Sequence, residues 1–217
     1  MSAFLLGLEQ GANGIETDVQ RTKDGHLVLF HDDDMARVTN VPGAIADRTY
    51  AELSKIPVRS ADGTKTDTVP NLSDLLSLAR ERGVELAVEL KAEGLEEDVL
   101  KEIDRFGLGE HCIVTSFAFD RIARVKALDP ARRVGWLIRS VSEDAIRALQ
   151  EIGGEQICPK AGDLTPELVE RLHGLGLSAR AWGVQNEELM RHAYLCGVDG
   201  MTVNFPDKLT ALLNSAK

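Results

Sequence analysis

No apolar run in this 217-residue chain approaches the roughly 20 residues needed to cross a bilayer, and its start lacks the charged-then-apolar pattern of a secretory signal. The chain is also short of positive charge. A net charge of −10 and a pI near 5.0 argue against sequence-independent binding of nucleic acid or of an anionic membrane surface, both of which reward a basic face. Paired cysteines are missing too: Cys112, Cys158 and Cys196 are scattered, odd in number and embedded in apolar runs, so they read as reduced core thiols rather than a disulfide or zinc framework. A cytoplasmic protein without membrane insertion is expected. With 43% hydrophobic residues, 217 residues bury a sizeable core, and nothing divides the chain: 1–217 reads as one domain.

What is present is organised around residues 14–32. On a strand, Glu16 and Asp18 point to one face while Ile15, Thr17 and Val19 point to the other, which sets two carboxylates side by side. Asp24-Gly25 is a hairpin signal that turns the chain back into Leu27 to Phe30 and delivers His31 near the same end. On spacing alone, ordinary ion pairs and a satisfied loop histidine compete evenly with a metal site.

Ser2 to Gln10 has helical spacing. Residues 31–46 read as a long loop, Thr49 to Glu52 as a capping box that starts a short helix, Arg59 to Thr68 as a polar excursion, and Leu72 to Arg82 as a helix ending at Gly83. Beyond this, short apolar strands alternate with amphipathic helices. The strands are Leu86 to Lys91, Ile113 to Phe117, Val134 to Ile138, Gln156 to Pro159, Ala179 to Val184 and Gly200 to Phe205; the last five begin 21 to 23 residues apart. That regularity predicts an α/β fold of the (β/α)8 TIM-barrel type. A doubly wound open sheet is the alternative, but its glycine-rich phosphate turn is lacking. Leu27 to Phe30 follows Gln20 too closely to be a parallel strand, so it is an extra hairpin strand. Seven parallel strands remain where a closed barrel needs eight, and the missing one is expected to belong before residue 1.

In such barrels the carboxyl ends of the strands carry the site. Glu89 and Lys91 share a face at one end; Ser116, Trp182 and Asn204 occupy similar ends, followed by Phe117, Gln185 and Pro206. Three carboxylates, Glu16, Asp18 and Glu89, aimed into one mouth call for a hard divalent cation, Mg²⁺ or Ca²⁺, because no cysteine or histidine cluster suits zinc. Lys91 then serves an anionic group, and Trp182 a small apolar or polyol surface; taken singly, a salt bridge from Lys91 to Glu89 or a neighbour and a core aromatic at Trp182 are the better readings, but not jointly, at the same end of successive strands.

The run Gly14 to Gln20, with Thr22 to Gly25 and Phe30-His31-Asp32, resembles the glycerophosphodiester phosphodiesterase family, as do Glu89-Leu90-Lys91, Ser116-Phe117, Trp182, Gly197 to Gly200, Asn204 and Pro206. The resemblance implies a hydrolase acting on a small-molecule glycerophosphodiester to give glycerol 3-phosphate and an alcohol. It implies metal ligands Glu16, Asp18 and Glu89, an acid/base His31, a catalytic and phosphate-contacting Lys91, and substrate contacts from Phe117 and Trp182. The family's opening His-Arg-Gly strand and Glu-Asn-Thr loop have no counterpart, which removes one histidine, one arginine and one glutamate; Gly183-Val184-Gln185 replaces the usual Thr-Val-Asn. Met1 as an internal methionine of a longer enzyme is the favoured explanation. A catalytically weak barrel that binds cation and phosphate without turnover is the other. A phosphoinositide- or sphingolipid-cleaving barrel would want apolar or basic membrane-facing loops, and none is found. The leaving alcohol, the choice of cation and any homo-oligomer are left open by the sequence.

Overall fold

The computed structural model describes residues 1–60 and 63–215. Its contacts divide the chain into two compact units, one comprising residues 1–5 and 14–112, the other residues 6–13 and 113 onward. The opening helix α1 (Ser2–Glu9) contributes to both.

In the first unit, β1 (Gly14–Arg21) is antiparallel to β2 (Leu27–Leu29), with Val19 opposite Leu29. The turn between them is made where the sequence predicts it. Gly25 takes φ +90, its N–H donates to the Thr22 carbonyl at 3.0 Å, and Thr22 Oγ1 donates to Asp24 Oδ1 at 2.7 Å. The stretch read as a long loop holds a helical turn, α2 (Ala36–Thr39), and runs into a 3-10 turn at Ile45–Asp47, followed by α3 (Tyr50–Leu53), which carries the predicted Thr49–Glu52 capping box. The reason is a small apolar core: Val28, Phe30, Met35, Ile45, Leu53 and Val69 pack together, so the segment after β2 is anchored from beneath.

The polar excursion is a two-stranded ribbon, β3 (Val58–Arg59) against β4 (Thr66–Asp67); residues 61 and 62 lie outside the described residues. Helix α4 (Leu72–Arg82) starts at the Asn71–Asp74 capping box and ends at Gly83 with φ +64, as its sequence requires. It leads into β5 (Glu85–Leu90), parallel to β1, and then α5 (Glu96–Arg105).

The second unit repeats one step. In order come β6 (Cys112–Ser116), α6 (Phe119–Leu128), β7 (Arg133–Ile138), α7 (Glu143–Glu151), β8 (Gln156–Pro159), α8 (Pro166–Gly174), β9 (Ser178–Val184), α9 (Glu187–Leu195) and β10 (Gly200–Val203). Neighbouring strands from β6 to β10 pair in parallel. Ser142, Thr165 and Asn186 cap α7, α8 and α9 by accepting a backbone N–H. A closing helix, α10 (Pro206–Ser215), escaped the sequence reading, although Pro206 is a good first helical residue. The strand-then-helix succession is that of an α/β fold of the (β/α) barrel type, with β2 the extra antiparallel strand. No helix among the described residues is long and apolar enough to cross a membrane.

Candidate active site

Register builds the site in the first unit. β1 and β5 pair so that Glu16 lies beside Ala87 and Asp18 beside Glu89. In-register parallel neighbours project to the same face, so the two acids of β1 meet the acid of β5. Oxygens of Glu16, Asp18 and Glu89 all lie within 4.8 Å of one another. Asp18 and Glu89 are buried, at 9% and 7% exposure.

This is a costly place for negative charge. Burial, then the Asp18 charge, push the Glu89 carboxyl above its usual range, and Lys91 opposes both. The Lys91 ammonium bridges the pair, 3.4 Å from Asp18 Oδ1 and 3.3 Å from Glu89 Oε1. Burial disfavours its charged form, but the Glu89 and Asp18 charges hold it above the ordinary lysine value. The donor set suits a hard divalent cation: all oxygen, all potentially anionic, and within the roughly 4–5 Å that separates ligands of a single ion. Among the described residues no cysteine or histidine joins it, which disfavours zinc.

His31 is placed by the same strand. The Phe30 N–H donates to the Asp18 carbonyl at 3.0 Å, so the chain leaves β2 directly beside the acidic pair. Gln20, which alternation puts on the face of Glu16 and Asp18, donates through Nε2 to the carbonyls of Phe30 and Asp32, each at 2.9 Å. The His31 side chain is 70% exposed, and its Nδ1 lies 2.7 Å from Asp32 Oδ1. Arg37 of α2 grips that carboxylate, with Nε 2.5 Å from Oδ2 and Nη2 3.0 Å from Oδ1. Hydrogen bonding from Arg37, then from His31, holds the Asp32 carboxyl below the usual carboxylate range.

The second unit carries its own group of side chains at strand ends. Phe117 follows β6 and meets Trp182 of β9 edge to face, with ring centroids 5.0 Å apart. Trp182 Nε1 donates to the Ile138 carbonyl at 3.1 Å, and Trp136 Nε1 to the Phe117 carbonyl at 3.2 Å, so both indoles are fixed by their polar edges. The Arg139 guanidinium lies 5.7 Å from the Phe117 ring centre.

The first unit thus brings together Glu16, Asp18, Glu89 and Lys91, with His31 on the strand end beside them, and the second brings together Phe117 and Trp182. Gln20 and Asp32 lie in the runs that carry the resemblance but were given no role there, and Arg37, Trp136 and Arg139 were not singled out in the sequence. Period-two alternation was sufficient to mark Gln20, and adjacency to His31 to mark Asp32; no sequence signal marks Arg37, which reaches Asp32 through the helical turn of α2.

Three comparisons bear on this geometry. The model of the glycerophosphoryl diester phosphodiesterase family matches residues 1–208. A glycerophosphodiester phosphodiesterase from Bacillus altitudinis is 32% identical over 100% of this chain and 93% of its own length; one from Caldanaerobacter subterraneus is 30% identical over 98% and 90%. The crystal structure of an Oleispira antarctica phosphodiesterase, in complex with its product sn-glycerol-3-phosphate, superposes with a TM-score of 0.84 at 25% identity, covering 98% of this chain and 89% of that one.

Proposed function

Since the chain belongs to the glycerophosphoryl diester phosphodiesterase family, we propose that it hydrolyses glycerophosphodiesters to glycerol 3-phosphate and an alcohol, with Glu16, Asp18 and Glu89 as ligands of a divalent cation. The observation that carries the reading is the convergence of those three carboxylates from two strands, with oxygens within 4.8 Å of one another, where Lys91 meets Asp18 and Glu89. A cation held there, Mg²⁺ or Ca²⁺, would supply Lewis acidity at phosphoryl oxygens and lower the pKa of a hydroxyl group.

The chain's own residues do the rest. Lys91 offers an ammonium to the phosphoryl oxygens from a largely buried position where its attraction is little screened. His31 carries the proton through Nε2, since Nδ1 is engaged by Asp32. In the net reaction a P–O bond forms to the oxygen supplied by water and the P–O bond to the alcohol breaks; the departing alkoxide takes the Nε2 proton of the protonated His31 ring, which is left as the Nδ1-protonated form, and a proton of the water returns to Nε2. Phe117 and Trp182 present an apolar surface suited to the carbon skeleton of a small polyol.

The test is release of glycerol 3-phosphate from choline, ethanolamine, inositol and glycerol headgroup substrates, with and without chelator. Cation-dependent release supports the reading, and its absence with every substrate defeats it. His31→Ala is expected to abolish turnover while cation binding, followed by calorimetry, is kept; undiminished turnover removes His31 from the acid/base role.

A further inference from the structure

Acid/base chemistry at an imidazole needs a defined tautomer, and a ring that is 70% exposed does not supply one by itself. Here the surroundings do. Asp32 is an acceptor only when ionised, and its contact with Arg37, 2.5 Å and 3.0 Å on the two oxygens, keeps it so. A carboxylate oxygen 2.7 Å from Nδ1 therefore requires the proton on Nδ1, which leaves Nε2 as the atom that exchanges a proton with anything outside. The backbone is fixed as well: Gln20 Nε2 donates to the carbonyls on either side of residue 31, and Phe30 N–H to Asp18.

We propose that Asp32, gripped by Arg37, is a positioning residue that fixes His31 as its Nδ1-protonated tautomer and aims Nε2 outward, while Gln20 pins the backbone that carries the ring. The proposal rests on the reading of His31 as the proton-carrying group. Asp32 and Arg37 act through His31 and touch no substrate. The bidentate hold matters because a lone carboxylate beside a histidine is free to rotate, and the planar guanidinium fixes its plane. An arginine on a short helical turn is what the ordering of residues 31–46 by the small core beneath them makes available.

Two measurements test it. The first is a nitrogen-15 imidazole spectrum of the unsubstituted protein, with His31 assigned by its loss in His31→Gln. The Nδ1-protonated neutral form is expected, giving way to a mixture in Asp32→Asn; an Nε2-protonated His31 in the unsubstituted protein overturns the proposal, and this readout needs no turnover. The second is kinetic. Asp32→Asn should lower kcat by about 10²-fold for an alkyl leaving group, with KM little changed, and by under about 10-fold for a p-nitrophenyl ester, whose leaving group needs no proton. In a His31→Ala background the same substitution should cost nothing further, and Arg37→Lys should retain more activity than Arg37→Ala. Equal losses for the two leaving groups, or a full additional loss in the His31→Ala background, overturn the positioning role. Full turnover in His31→Ala would defeat the premise about His31, whereas lost turnover there with an undiminished Asp32→Asn would defeat this inference alone.

Discussion

At Glu89, burial and the Asp18 carboxylate act against ionisation, and Lys91 acts for it. Lys91→Met removes the opposing charge and leaves two carboxylates registered side by side on β1 and β5. The expected result in chelator is a protein destabilised by about 1–3 kcal/mol in urea, because a buried charge that loses its partner is costly. Millimolar Mg²⁺ or Ca²⁺ should restore much of that loss; identical urea midpoints with cation and chelator would contradict the shared site. Asp32 makes a different prediction. Its carboxyl is depressed in the folded protein by Arg37 and His31, so its contribution to stability is present above the unfolded carboxylate value near pH 4 and is lost as pH falls through the lower folded value. Asp32→Asn should therefore be less stable than the parent at pH 7 and lose less on acidification, which a pair of urea titrations at pH 7 and pH 3 will show.

Elements hold these residues in place through ends and turns more than through length. α3 is only four residues long, too short to persist alone, and depends on its capping box and on Leu53 in the small core. Thr49→Ala should cost about 1 kcal/mol by loss of the cap. The hairpin turn depends on Gly25 at φ +90, where an added Cβ meets no atom within 4 Å and only backbone strain opposes it. Gly25→Ala is thus expected to cost about 1 kcal/mol without steric clash, and to loosen the connection that carries the chain from the acidic strand to His31. Protection of the Thr22 amide in hydrogen exchange is the readout, since it donates to the His26 carbonyl at 2.9 Å across that turn. The turn, the α3 cap and Gly83 were legible in the sequence because each is a local backbone requirement met by one or two residue types. The ribbon of β3 and β4 was not legible, since two-residue strands show no periodicity.

For the molecule as a whole, a ligand that binds only the folded chain adds stability by mass action, about 2.7 kcal/mol at 100 times its dissociation constant. Saturating divalent cation should accordingly raise the Tm, and the rise should vanish in Glu16→Ala, which removes one oxygen ligand from the cluster of three. An equal rise in both proteins would point to cation binding elsewhere on a surface whose net charge is −10.

By itself the sequence determined the alternation of strand and helix, the hairpin at Asp24-Gly25, and the two acids sharing one face of β1, because each is written in residue spacing over fewer than about ten positions. Tertiary structure decided which residues meet across long separations. The β1–β5 register that sets Asp18 against Glu89 joins segments some 70 residues apart, and Lys91 bridges both acids only because that register holds. Likewise Arg37 meets Asp32 only because an apolar cluster beneath residues 31–46 folds them into a helical turn. Spacing fixes the direction of a side chain along its own element; the partner it finds depends on packing between elements, which no local pattern encodes.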